Sequence, residues 1–118
     1  MNIELVSGTD LASALDIVTN GLNAENAIEK GGDGSFWAVP IKQIDDARLF
    51  AIANPTLSEQ CALVKITIPS RILNNLLSIN LLEIIPEGEF FRFLPESFET
   101  LNEVASFEII YSFIANEY

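Results

Sequence analysis

Residues Leu11 to Leu22 constrain the fold most. Leu11, Ala14, Leu15, Val18 and Leu22 recur at spacings of three and four, the stripe of an amphipathic helix that must bury one side. The helix has a start and a stop. Thr9 or Asp10 can accept hydrogen bonds from the free amides of its first turn. Asn20-Gly21 ends it, with Gly21 suited to a positive-φ cap and Leu22 to the apolar contact behind it. A one-sided helix needs an apolar surface to lie on, and the rest of the chain offers strands.

Ile3 to Val6 reads as a short first strand broken by Gly8-Thr9-Asp10, and Ser35 to Val39 as a second stopped by Pro40. Ala62 to Ile68 alternates: Ala62, Val64, Ile66 and Ile68 point one way, Lys65 and Thr67 the other, with Leu63 the exception. That pattern predicts one buried face. Leu81 to Ile85 and Glu89 to Leu94 flank the turn Pro86-Glu87-Gly88 as a hairpin or as two bent strands. Phe107 to Ile114 is apolar on both sides, which predicts a central or doubly covered strand. Between them, Asp45 can cap a helix whose Ala47, Phe50, Ala51 and Asn54 share a face, closed by Pro55. Pro69-Ser70 starts a short helix carrying Ile72, Leu73, Leu76 and Leu77, and Pro95 to Asn102 fits one or two helical turns. The expectation is an α+β single domain spanning 1–118, with five or six strands and two main helices.

Charge and residue usage exclude several functions. The chain has 17 Asp and Glu against 6 Lys and Arg, a net charge of -11. With no basic cluster, direct electrostatic binding to nucleic acid or to an anionic membrane has no source. The longest apolar-rich stretch, Leu76 to Pro86, is interrupted by Ser78, Asn80 and Glu83 and is too short to span a bilayer. Met1-Asn2-Ile3-Glu4 lacks a leader pattern, so a cytoplasmic address is expected. There is no histidine and one cysteine, Cys61, which reads as an ordinary buried thiol. Histidine-based triads and His-ligated zinc are therefore out of reach for one chain. Neither calcium-loop spacing nor a Walker loop is present, and no metal site is expected.

Five short motifs follow one another in order: Gly8-Thr9 after the first strand, Gly21-Leu22 after the helix, Gly34-x-Phe36, Ala47 with Phe50-Ala51, and the strand Ala62 to Ile68. Over roughly residues 3 to 70 this order resembles the ADP-ribosyltransferase-like fold, whose compact members open with His-Gly-Thr/Ser or Arg-Gly. The resemblance implies a split, mixed or antiparallel sheet with a cleft, and NAD as cofactor. The nicotinamide–ribose bond of NAD would break through an oxocarbenium-like centre. A carboxylate would favour the developing charge, and an aromatic ring would stack on nicotinamide. By position, Ser7, Gly8 and Thr9 occupy the cofactor-holding motif, Phe36 or Trp37 the aromatic wall, and Glu89 (alternatively Glu87) the catalytic carboxylate. Ser7 departs from the pattern, being short and uncharged where His or Arg would grip the cofactor. The resemblance thus implies a catalytically degenerate scaffold that binds a protein partner or small molecule.

Plain structural roles compete at each position. Ser7-Gly8-Thr9 can be a strand-to-helix turn. Trp37 can be a core or interface aromatic, and Phe90, Phe91, Phe93 and Phe98 core. Glu87 and Glu89 can be solvated residues of a turn. Two further functions stay open: an active divergent NAD-dependent transferase, and an acidic immunity, inhibitor or nucleic-acid-mimic protein. A mimic should gather its charge on one face. A partner-binding domain should show an exposed apolar patch near Trp37 or Tyr111 to Tyr118. Homodimerisation through an exposed strand edge is left undecided.

Overall fold

The computed structural model describes residues 1–25, 33–53, 60–86 and 89–114. Its elements are β1 (Asn2–Asp10), α1 (Leu11–Asn20), β2 (Phe36–Pro40), α2 (Ile44–Ala53), β3 (Gln60–Pro69), α3 (Ser70–Ser78), β4 (Leu82–Ile85), β5 (Phe90–Phe93), α4 (Phe98–Val104) and β6 (Ser106–Ile114). Short 3-10 turns at Ile41–Gln43 and Pro95–Ser97 lead into α2 and α4. The strands form one six-stranded antiparallel sheet in the order β4-β5-β2-β1-β3-β6. The expectation of a split sheet is corrected: β1 and β2 hydrogen-bond directly, although only Leu5–Pro40 and Val6–Val39 stand in register. No described helix is long and apolar enough to cross a membrane.

β1 is longer than the sequence suggests. Ser7-Gly8-Thr9 is not a turn, because β1 pairs with β3 from Asn2–Pro69 through to Asp10–Cys61. Asp10 alone caps α1. Its carboxylate accepts from the Ser13 amide at 3.0 Å and from the Ser13 hydroxyl at 2.6 Å.

Alternation along β1 and β3 separates two cores. Leu5, Ile66 and Ile68 point to the layer of α1, α3 and α4, where Leu73, Leu76, Phe93, Phe98 and Leu101 complete the larger core. Val6 and Leu63 point the other way, to α2, with Val39 and Ala47. Leu63 breaks the alternation of β3 because α2 covers its side as well.

Three other expectations change with packing. α1 buries Ala14, with Leu11 and Ile17 packed beside it, whereas Leu15 and Val18 are 52% and 42% exposed. The helix is rotated towards Ile17 because that side meets the core. Asp45 lies inside the first turn of α2, where it pairs with Arg48 at 3.7 Å, since the turn at Ile41–Gln43 already leads into the helix. β6 is not central: it ends the sheet, and its apolar residues are partly buried on both faces, against α1 (Phe107, Ile109) and on the α2 side (Ile110, Phe113). Asn54, Pro55 and Glu87 lie outside the described residues.

Two close approaches lock the layers. A Cβ at Gly8 would fall 1.9 Å from the Ala47 carbonyl oxygen, so α2 can reach β1 only over a glycine. At Gly21 (φ 86°) the chain leaves α1, and the Asn102 side chain accepts from the Leu22 amide at 2.8 Å and donates to the Leu22 carbonyl at 3.2 Å. Gly8→Ala should cost at least about 3 kcal/mol, because backbone and not a side chain must yield. Urea unfolding measures it, and a loss below about 0.5 kcal/mol would contradict the packing. Asn102→Ala removes both links to Leu22 and should cost about 1–3 kcal/mol in the same assay.

Candidate functional site

Beyond Val6–Val39, β1 and β2 part, and a notch opens between them and α2. Gly8, Val39 and Ala47 lie at its base, and Trp37, Phe50 and Phe90 are the aromatic residues of its lining. Local sequence builds each part. Pro40 stops β2 and turns the chain into α2, and Gly8 lets that helix come down onto β1. Period-two alternation along β2 sends Phe36 and Trp37 to opposite faces. Phe36 enters the larger core, tilted against Phe93 at 6.2 Å between ring centres, and Trp37 lines the notch.

Of the residues singled out from the sequence, Ser7, Gly8 and Trp37 come together at the notch. Ser7 is buried and opposite Val64 in the ladder, and the Thr9 hydroxyl lies 3.4 Å from the Asp10 carboxylate. Phe36 is on the far side of the sheet. Glu89 does not line the notch. It occupies the hairpin turn next to Phe90 at φ 53°, accepts from Gln43 Nε2 at 3.2 Å and pairs with Lys42 at 3.8 Å. Phe50 and Phe90 were missed as site residues. Phe50 is 45% exposed on α2, and Phe90 faces opposite to the buried Phe91. The alternation Phe90-Phe91-Arg92-Phe93 was the available signal, since Phe91 and Phe93 share a side and Phe90 and Arg92 the other.

Charge lies beside the notch and not in it. The Arg92 guanidinium donates to Glu83 and, at 2.8 and 3.2 Å, to Asp33, with its centre 5.8 Å from the Trp37 ring. The hydrogen bonds from Arg92 hold the Asp33 carboxyl below its usual range, helped by the Ser35 amide. Lys65, between Glu4 and Glu108, is held above the usual lysine range, chiefly by its hydrogen bond to Glu4. Burial pushes the Cys61 thiol up, with the Asp10 carboxylate adding to the effect, which favours the unreactive protonated form.

None of the residues lining the notch is ionisable, so the notch supplies no general acid, base or nucleophile of adequate strength. Its volume is about 10 Å3, room for about one water. Small-molecule and cofactor pockets run to roughly 300–1,000 Å3. Among the described residues, no three His, Cys, Asp or Glu side chains gather as a metal cluster. Comparison of the chain with protein-family models, curated proteins and solved structures returned no match.

The Arg92–Asp33 pair sets a pH dependence. A carboxyl whose folded value is depressed adds stability that is complete above its unfolded value, near about 4, and is lost as pH falls through the folded one. Asp33→Asn should therefore be less stable than wild type at pH 7, and the gap should narrow by about pH 3. Thermal melts of both proteins across that range check it. A gap that widens on acidification would refute the assignment.

Proposed function

We propose that the protein is a non-catalytic recognition domain whose notch receives one apolar side chain of a protein partner. The observation that carries this reading is the lining itself: uncharged, shallow, and walled by the half-exposed rings of Trp37 and Phe50. Aromatic side chains with an exposed edge offer large contact area at low conformational cost, as recognition surfaces require. A site of this size suits a methyl or small branched group, and its carboxylates stand outside it.

The acidic excess points to the partner's charge. The outer layer made by α1, α3, the turn Pro95–Ser97 and α4 carries Asp16, Glu96, Glu99 and Glu103 against one described cation, Arg71. The cations Arg48, Lys65 and Arg92 belong to the α2 side or its flanking strands, each paired with an acid. A net charge of -11 speeds encounter with cationic surfaces and repels anionic ones. The partner in this reading is a cationic protein surface that presents an apolar residue. The order of motifs shared with ADP-ribosyltransferase-like folds is then a scaffold kept without its reaction, in keeping with Ser7 at the position of a cofactor-gripping base.

Two measurements test the reading. Incubation with NAD should release no nicotinamide above a protein-free blank; release that Glu89→Gln abolishes would replace recognition by catalysis. Benzylamine, a cationic apolar probe, should shift the Trp37 ring resonances at about millimolar concentration, as expected for a shallow site. Trp37→Ala should remove the accompanying shift at Phe90. Shifts scattered over the surface, with none at Trp37, Phe50 or Phe90, would count against the notch as a binding site.

A further inference from the structure

We propose that two copies of the chain associate edge to edge, β6 pairing antiparallel with β6 of the second copy while α1 closes on α1. β6 is a nine-residue terminal strand bonded on one side to β3. Among the described residues no strand pairs with its outer side, which presents a row of ladder donors and acceptors.

The two edges of the sheet are treated differently. β4 is four residues long and carries Glu83. β6 has no Lys, Arg or Pro, and its one charge, Glu108, is drawn to Lys65 at 3.5 Å. A bulge at Ile110, between the pairs Leu63–Tyr111 and Val64–Ile109, leaves regular segments on either side of it. The strand thus lacks the charges and prolines that ordinarily keep an edge from pairing.

The layer above β6 is left equally unprotected. Helical geometry places Leu15 opposite Ile17 on α1 and Val18 about a quarter turn from it. Ile17 packs towards the larger core, so Leu15 and Val18 face the β6 edge, 52% and 42% exposed. On β6, alternation past Phe113 returns Ile114, 39% exposed, to the α1 side, whereas Tyr111 stacks on Phe113 on the α2 side with the Arg48 guanidinium 4.8 Å from its ring. Leu15, Val18 and Ile114 together form an apolar strip along the β6 edge.

Charge selects the occupant. In a chain with net charge -11, α1 holds a single acid, Asp16, bonded to Asn20 at 2.7 Å, and β6 holds a single acid, Glu108. A cationic partner would find little to pair with here. A second copy, itself acidic, meets little repulsion at this strip, and its own strip is the matching apolar surface. Two-fold pairing also closes: each β6 satisfies the other, and among the described residues the edges left are the two short β4 strands. A lone foreign strand would leave its own outer side open. Trp37 and Phe50 lie outside the strip, so the notch and the dimer stand or fall separately.

Sedimentation velocity from about 1 to 100 µM tests the proposal. The wild type should reach twice the 13.0 kDa chain mass. Leu15→Lys/Val18→Lys, which alters exposed helix positions, should weaken association by at least about tenfold with unchanged circular dichroism. Ile114→Lys provides an independent variant on the strand. Amides of β6 should exchange more slowly as wild-type concentration rises. A wild type that stays monomeric at about 100 µM overturns the proposal. So does a dimer that survives both variants, or one whose β6 amides exchange like those of the monomer.

Discussion

The antiparallel ladder between β1 and β3 is the constraint on which the rest depends. It runs without interruption from Asn2–Pro69 to Asp10–Cys61. Where both faces are covered, Cys61 to Val64 of β3 are buried irrespective of parity, and from Lys65 onward burial alternates. Once this pair is set, the larger core must form on the side of Leu5, Ile66 and Ile68, and the smaller on the side of Val6 and Leu63. Asp10, opposite Cys61, ends the ladder and caps α1, so the start of the helix is tied to the register of the sheet.

The smaller core decides where the notch forms. α2 crosses β1 at Gly8, where side-chain volume is absent, and its Ala47 and Ala51 keep the contact close. β2 leaves β1 after two register pairs, and the gap is lined by rings, not by charges. Among the described residues, Asp33 and Glu83 pair with Arg92, and Glu89 with Lys42 and Gln43, and none of these carboxylates lines the notch.

Local signals were sufficient for several elements. Gly21, Pro40, the Pro69-Ser70 start and the Pro86 turn region marked boundaries that the structure keeps, because φ restrictions and missing amides act within a few residues. Other features depended on distant neighbours. Leu15 and Val18 fit an amphipathic stripe as well as Ile17 does, and only the position of the core chose Ile17. The apolar residues of β6 suggested a central strand, whereas its place at the end of the sheet follows from strand order, which no local pattern encodes. At the site, Trp37 and Gly8 were legible as candidates. Phe50 and Phe90 were not, because their role comes from the gap between β2 and α2 and not from their own surroundings in the chain.

By itself the amino-acid sequence determined the net charge of -11, the absence of histidine chemistry, the alternation that makes β3 a strand and the capped helix that follows β1. These are set by side-chain chemistry and by periods of two and of 3.6 residues, which are local. Only the tertiary structure decided that Gly8 is a contact point and not a turn, that Phe36 and Trp37 serve different faces, and that β6 lies at an open edge. Those outcomes depend on which strands lie side by side, and that is settled by the joint burial of segments far apart in the chain.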